Sequence, residues 1–328
     1  MKALPTLKQL RYLAALADHH HFGQAAEACH VTQSTLSAGI AELETLLDAA
    51  LVDRTKRTVI FTPLGEEVVA RGRAILRAAE DLVGITDAAR APLTGTLRLG
   101  VIPTIGPYLL PAALGDLRAA YPALRLYLRE DQTARLLDRL AAGDLDALLL
   151  ALPYACGEVE SRTVGTDPFL AAMPPDHPLA RLDHVPVGRL ATEPLLLLED
   201  GHCMRDHALA ACQFQGARAR GQFEATSLPT LVQMAANGLG LTLVPGLAVE
   251  QGLLAGTDLV TRPLEGSATG REIALVWRKG AARGPEYAIL ADFLASRMKA
   301  GGEPARGGNA KTAGKASSVR KTNKEAAR

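Results

Sequence analysis

The stretch Phe22–Glu44, FGQAAEACHVTQSTLSAGIAELE, decides how the first part of the chain folds. Its apolar residues recur at helical spacing on both sides of the short link His30–Thr32, which predicts two helices joined by a tight turn. Gln33, Ser34 and Ser37 lie off the apolar face, at the start of the second helix. In a helix-turn-helix, this part of the second helix reaches base edges in the major groove. We therefore predict that these three side chains contact DNA.

The segment that follows, LVDRTKRTVIFT (51–62), has apolar residues at its two ends and cations between them. This pattern predicts a two-stranded wing in which Arg54, Lys56 and Arg57 bind DNA phosphates. The alternative is a solvated turn, but the preceding helix-turn-helix pattern favours DNA contact. Residues 1–61 are therefore predicted to form a winged helix-turn-helix DNA-binding domain.

Residues 62–90 read as one long linker helix. Phe61, Val68, Ile75 and Leu82 recur every seven residues, which favours pairing of this helix between two copies of the chain. Packing against the chain's own domain is the alternative, and both can hold.

From Thr96 the pattern changes to apolar strands alternating with helices, which predicts an α/β domain with largely parallel sheets over residues 91–300. The predicted strands are residues 96–102, 124–128, 146–152, 195–198, 241–244 and 273–277. Ligands of such domains bind at the carboxyl ends of the strands. Thr104, Thr133 and the pair His202-Cys203 follow three of these strands, so they are expected to line one cleft.

The stretch LLLLEDGHCMRDHALAACQFQG (195–216) places Cys203 at the start of a helix, between His202 and Arg205. A helix N-terminus and a nearby cation stabilise the thiolate, the reactive form of cysteine. A peroxide can oxidise such a thiolate to a sulfenic acid, which a second thiol, here Cys212, can trap as a disulfide. Nine helical residues rise about 13.5 Å, whereas a disulfide needs Cα atoms within about 7 Å. The helix must therefore unwind if this disulfide forms.

Two other interpretations of these cysteines stay open. Paired cysteines in a helix are often small buried hydrophobes. His202, Cys203, His207 and Cys212 could also bind a metal, although their spacing does not match the usual zinc patterns.

Composition limits the class of protein. The chain has 328 residues, of which 48% are hydrophobic, and a net charge of +1. It has no run of 18 apolar residues and no signal-peptide pattern, so we expect a cytoplasmic protein whose four cysteines are free thiols. Residues 301–328 carry seven lysines or arginines against two glutamates, which predicts a disordered basic tail with weak attraction to DNA.

Several segments resemble a known family. Residues 22–44 and 51–69 resemble the winged helix-turn-helix of LysR-type transcriptional regulators, and the α/β part resembles their two-subdomain effector domain, which has the periplasmic-binding-protein architecture. GVIPTIGPYLLP (100–111) and LEDGHCMRDHALAACQF (198–214) are similar to the hydrogen-peroxide-sensing OxyR branch of that family.

This resemblance implies specific roles. Cys203 is expected to be the peroxidatic cysteine and Cys212 the resolving one. The peroxide pocket is expected to comprise Thr104, Thr133, His202, Arg205 and Arg271. One departure is Gln222, which stands where the OxyR proteins carry a histidine.

The resemblance also implies an organisation and a set of partners. Residues 91–165 with 272–300 are expected to form one subdomain, and residues 166–271 the other. The implied assembly is a homotetramer built from dimers. Its implied partners are promoter DNA, RNA polymerase, hydrogen peroxide and a glutaredoxin- or thioredoxin-type reductant, with no cofactor, metal or membrane.

The resulting hypothesis is a DNA-binding transcriptional regulator that senses hydrogen peroxide through Cys203 and Cys212 and activates oxidative-stress genes. The alternative within the family is a regulator that binds a small organic effector, with structural cysteines. A thiol peroxidase would share the chemistry but would leave the helix-turn-helix without a role. A transport-type binding protein is disfavoured because the signal peptide is absent.

Overall fold

The computed structural model describes residues 3–53, 59–88, 91–211, 224–266 and 270–301. Several predicted positions lie outside the described residues, namely Arg54, Lys56, Arg57, Cys212, Gln222 and the tail from residue 302 onward.

The N-terminal unit is a three-helix domain with a two-stranded wing, as the sequence predicts. Its elements are α1 (Leu7–His19), α2 (Phe22–Ala28), α3 (Gln33–Leu47), β1 (Val52–Asp53) and β2 (Ile60–Phe61). The Thr32 hydroxyl caps α3 by accepting a hydrogen bond from the backbone N–H of Thr35. Leu36, Ile40 and Leu43 of α3 are fully buried, which fixes the opposite face of this helix toward solvent.

The linker helix α4 spans Pro63–Ala88 and changes its surroundings along its length. Val69 is buried in the core of the N-terminal domain. Ile75 and Leu82 are 50% and 68% exposed. The first turns therefore pack within the chain, whereas later apolar side chains face solvent, and pairing between two copies stays a prediction.

The C-terminal unit alternates strands and helices. Its first half comprises β3 (Gly95–Val101), α5 (Gly106–Ala120), β4 (Leu124–Glu130), α6 (Thr133–Ala142), β5 (Ala147–Leu152) and β6 (Val159–Met173). A 3-10 helix (Pro178–Arg181) follows. The remaining elements are α7 (Val187–Leu190), β7 (Leu195–Leu198), α8 (Cys203–Ala211), β8 (Glu224–Ala225), α9 (Leu228–Ala236), β9 (Leu241–Pro245), α10 (Gly246–Glu250), β10 (Val260–Pro263), β11 (Gly270–Arg278) and α11 (Gly284–Gly301).

These strands form one path with the order β4-β3-β5-β11-β6-β9-β7-β8, and β10 pairs with β6. The outer groups are parallel, as predicted, but β11 pairs antiparallel with both β5 and β6. Strand β6 contributes Val164 to one hydrophobic core and Phe169 to a second. The two central antiparallel strands therefore connect two separately packed halves.

Within the described part of the chain, no helix is both long enough and apolar enough to cross a membrane.

Candidate functional site around Cys203

Cys203 is the first residue of α8, and its side chain is buried in the core of the first half. Burial raises the pKa of its thiol above the ordinary value. The Thr133 hydroxyl, the Arg271 charge and the backbone N–H of Ala151 oppose this by stabilising the thiolate. The sequence predicts a thiolate stabilised by the helix start and by a flanking cation, but in the structure desolvation is the larger effect. The resting group is therefore the protonated thiol.

A small pocket adjoins the sulfur. It offers about 10 Å³ to the centre of a water-sized sphere, so it has room for about one molecule of that size. Its lining residues are Ile102, Pro103, Thr104, Gln132, Thr133, His202, Cys203 and Met204. The structure thus brings Thr104, Thr133 and His202 together with Cys203, although they come from three distant segments.

Thr133, the first residue of α6, lines this pocket. The residue is 1% exposed, and its oxygen has no hydrogen-bond partner within the described part of the chain. It lies close enough to the sulfur to lower the Cys203 pKa. A buried hydroxyl without a partner destabilises a fold, so a small polar ligand in the pocket would satisfy it.

Arg271 of β11 fixes the other threonine. Its guanidinium is fully buried and donates to Thr104 Oγ1 at 2.7 Å and to the Thr104 carbonyl at 2.8 Å. It also donates to Asp167 Oδ2 of β6 at 2.9 and 3.1 Å. The Thr104 hydroxyl oxygen accepts the hydrogen bond from Arg271. The hydroxyl can therefore donate its own proton to a molecule in the pocket.

Arg205 does not line this pocket. Its guanidinium pairs with Asp200 Oδ1 at 3.0 Å and Glu224 Oε1 at 2.8 Å, and donates to the Leu198 carbonyl at 2.9 Å. These contacts join the start of α8 to the end of β7 and the start of β8. Arg271 is a cation that lowers the Cys203 pKa, whereas a role of Arg205 at the thiolate or the peroxide pocket stays a prediction.

His202 is 8% exposed. Burial lowers its pKa, and Glu199, whose Oε1 lies 3.8 Å from Nε2, partly opposes the shift. A neutral imidazole is therefore favoured beside the pocket, where it can donate one hydrogen bond.

Sequence reasoning missed three contributors to this site. Gln132 directly precedes the predicted Thr133 and could have been found by proximity alone. Ala151 contributes a backbone N–H, which no sequence pattern reports. Asp167 lies in β6, a strand that the sequence analysis does not predict.

The remaining candidate positions are far from this pocket in sequence or undescribed. Gln33 and Ser34 are exposed and Ser37 is half-buried at the start of α3. Arg54, Lys56 and Arg57 lie outside the described residues, as does Cys212. In the described ranges, no three His, Cys, Asp or Glu side chains are grouped so that they could hold a metal ion.

Comparison with known proteins gives the family. The model of the bacterial regulatory helix-turn-helix proteins of the LysR family matches residues 7–66, and the model of the LysR substrate binding domain matches residues 90–299. The chain belongs to the LysR family. The match confirms the predicted architecture of a helix-turn-helix domain followed by an α/β effector domain.

Individual LysR-family proteins are similar over almost the whole chain. A probable hydrogen peroxide-inducible genes activator of Streptomyces viridosporus is 43% identical over 90% of this chain and 95% of its own. The HTH-type transcriptional regulator EstR of Acinetobacter baylyi is 40% identical, over 90% and 97%. The solved full-length OxyR of Pseudomonas aeruginosa, a cysteine-to-aspartate variant, superposes with a TM-score of 0.74 at 36% identity and covers 89% of this chain and 95% of its own.

Proposed function

We propose that this LysR-family regulator binds promoter DNA, senses hydrogen peroxide at Cys203 and activates oxidative-stress genes. The observation that carries the proposal is the size of the pocket at the sulfur. Pockets for organic ligands usually measure about 300–1,000 Å³, whereas this one has room for about one water-sized molecule. Such a pocket leaves room at the thiol for a very small molecule only, which favours a small oxidant such as hydrogen peroxide over an organic effector.

The polar groups around the pocket suit the chemistry. The Cys203 thiol loses its proton, and its thiolate attacks one peroxide oxygen. The S–O bond forms as the O–O bond breaks, and the leaving hydroxide takes up the proton that the thiol lost, so the products are a sulfenic acid and water. The Thr133 hydroxyl, the Ala151 N–H and the Arg271 charge stabilise the thiolate that attacks. Thr104 and His202 can donate hydrogen bonds to the peroxide oxygens.

The second step in this proposal is trapping by Cys212. Its thiol attacks the sulfenic sulfur, which forms the disulfide and releases water. Cys203 begins α8, and Cys212 follows Ala211, the last residue of α8, in the sequence. Nine residues of continuous helix would rise about 13.5 Å. The reaction therefore requires α8 to unwind, which converts a chemical event into a change of shape. Gln222, the departure from the OxyR pattern, lies outside the described residues, and we assign it no role.

The proposed DNA contacts, assembly and partners follow from the resemblance to the LysR family. DNA contacts are assigned to Gln33, Ser34 and Ser37 of α3 and to the wing cations Arg54, Lys56 and Arg57. The two-subdomain division at residues 165/166 and 271/272 would let the change of α8 alter packing in a homotetramer, and so recruit RNA polymerase. A cytoplasmic glutaredoxin- or thioredoxin-type protein would reset the disulfide, so each chain would react once per cycle instead of turning over as a peroxidase.

The test is DNA footprinting on a responsive promoter with and without peroxide. Cys203→Ser is expected to bind DNA but to show no change on peroxide addition, whereas the control Cys29→Ser responds as the parent chain does. A Cys203→Ser variant that still responds would remove Cys203 from the mechanism and favour an effector elsewhere in the domain.

The DNA surface has a separate test. Ser37→Ala and Arg54→Ala are expected to weaken promoter binding without changing the rate of thiol oxidation. Unchanged binding by both variants would show that this surface is placed wrongly.

A further inference from the structure

His207 lies on α8, four residues after Cys203, so the two side chains share one face of the helix. The residue is 8% exposed. Its Nε2 lies 2.9 Å from the carbonyl oxygen of Pro153, the residue that follows β5. The backbone N–H of Ala151, two residues earlier, lowers the pKa of the Cys203 thiol by favouring its thiolate. The end of β5 therefore runs along the face of α8 that carries both groups.

The protonation state of the ring follows from this contact. A carbonyl oxygen only accepts, so Nε2 donates and carries the proton. Nδ1 is then an acceptor, and it is buried without a partner in the described part of the chain. Burial lowers the pKa of His207, which agrees with a neutral ring. The unpartnered Nδ1 destabilises the reduced fold. The hydrogen bond from Nε2 to Pro153 has the opposite effect, because it favours the buried position of the ring against β5.

This contact bears on the proposed disulfide formation because it holds α8, the helix that must unwind for Cys212 to reach Cys203. Strand β5 is paired on both sides, with β3 and with β11, so Pro153 is attached to a rigid sheet. The hydrogen bond ties the second turn of α8 to that sheet. Unwinding of α8 through its second turn would break this bond.

We propose that His207 is a positioning residue that holds α8 helical in the reduced chain and thereby slows the step from Cys203 sulfenic acid to the Cys203–Cys212 disulfide. The inference rests on the proposed function and adds to it a residue that sets how readily the switch closes. The proposed role of His207 is exerted through the helix, while in the chemical step the Cys212 thiol attacks the sulfenic sulfur and water leaves.

The experiment uses the full-length chain and measures the two steps separately. Sulfenic acid formation at Cys203 is followed in a Cys212→Ser background with a sulfenic-acid trapping reagent. Disulfide formation is followed with Cys212 intact, by rapid quenching and thiol trapping. His207→Leu removes the donor, His207→Gln keeps a side-chain N–H able to reach Pro153, and exposed His184→Leu is the control.

His207→Leu is expected to speed disulfide formation about fivefold, the factor for one net hydrogen bond, and to leave sulfenic acid formation within about twofold. His207→Gln and His184→Leu should match the parent chain. In the reduced state, the amides of α8 should exchange hydrogen faster in His207→Leu alone. If the leucine variant does not fold, His207→Met repeats the test with a flexible apolar side chain.

Three results would overturn the inference. A disulfide rate that is unchanged or slower in His207→Leu means that α8 is not held by this bond. A slower sulfenic step means that His207 acts on the Cys203 proton instead. If the parent chain itself forms no sulfenic acid, the proposed function fails first, whereas a parent chain that oxidises normally confines the failure to His207.

Discussion

Opposing effects meet at Cys203. Burial raises the pKa of the thiol, whereas a hydroxyl, a guanidinium and a backbone N–H lower it. A buried thiol is protected from adventitious oxidants, but it reacts only through its thiolate fraction. Selectivity for a small peroxide would then come from two features together, which are the restricted pocket and the groups that stabilise the thiolate inside it.

The Thr133 hydroxyl is the part of this arrangement that one substitution removes most cleanly. Thr133→Val keeps the volume but deletes the donor beside the sulfur, and hydrogen bonds to charged groups contribute about 1.5–3 kcal/mol. We expect oxidation of Cys203 at neutral pH to slow at least about tenfold, measured as the rate of sulfenic acid formation. Thr96→Val, on β3, is the control and should leave the rate unchanged. Equal rates for both variants would contradict the assignment of Thr133.

Two histidines make stability depend on pH. Burial lowers the pKa of His202 and of His207 in the folded chain, whereas both return to about 6.5 on unfolding. Below that pH the unfolded chain takes up protons that the folded chain does not, so stability falls as the pH falls. We expect a lower Tm at pH 5.5 than at pH 7.5, and a smaller difference for His207→Gln. An identical pH dependence in that variant would exclude His207 as a contributor.

At the scale of elements, the sequence predicts helices and strands that are marked by a local pattern of apolar residues. Helix α6 is such an element, because Leu136 and Leu140 form one buried face and Gly143, with a φ of +69°, ends it. Strand β6 is not predicted because its first residues carry Glu160 and Arg162, and no apolar alternation marks it.

Long-range pairing makes β6 a strand. It is paired with β11 over nine positions, a contact between segments about a hundred residues apart that local propensity does not report. The same register places Asp167 opposite Arg271. The partner of Arg271 therefore could not be predicted from the sequence, and the direction of the Arg205 side chain could not be predicted for the same reason.

The Arg271–Asp167 pair should be the strongest polar link between β6 and β11. Both side chains are fully buried, and Asp167 Oδ1 also accepts from the Leu247 N–H at 2.9 Å. Asp167→Ala leaves an uncompensated buried guanidinium, so the free energy of unfolding should fall by about 3–5 kcal/mol, measured by urea denaturation.

The matched control is Asp292→Ala. Asp292 also pairs with an arginine of the same sheet, Arg162 of β6, but the two side chains are 56% and 49% exposed. Its loss should change the free energy of unfolding by at most about 1 kcal/mol. Comparable losses in the two variants would show that burial does not decide the strength of these pairs.

At the scale of the whole molecule, α6 connects the pocket at Cys203 to the linker helix. It begins with Thr133 in the pocket and ends at Gly143, which packs against the Arg77 side chain of α4. Ten helical residues span about 15 Å. A displacement at the pocket can therefore reach α4, and through it the DNA-binding domain, by movement of one rigid element.

Two glycines test this connection. Gly143 and Gly157 have nearly equal φ values, +69° and +71°, so alanine costs about 1–2 kcal/mol at either position. A Cβ at Gly157 meets nothing within 4 Å, whereas a Cβ at Gly143 collides with Arg77, which must move away. Gly143→Ala alone is expected to weaken the peroxide-dependent change in the DNA footprint. Identical footprints for the two variants would show that this contact does not transmit the signal.

The most direct test of peroxide sensing is thiol-trapping mass spectrometry on the full-length chain after one equivalent of hydrogen peroxide. We expect a Cys203–Cys212 disulfide within seconds, with Cys29 and Cys156 still free. If all four thiols stay reduced, or if Cys203 is oxidised no faster than Cys29, peroxide sensing at Cys203 is contradicted and a LysR-family regulator with another effector remains.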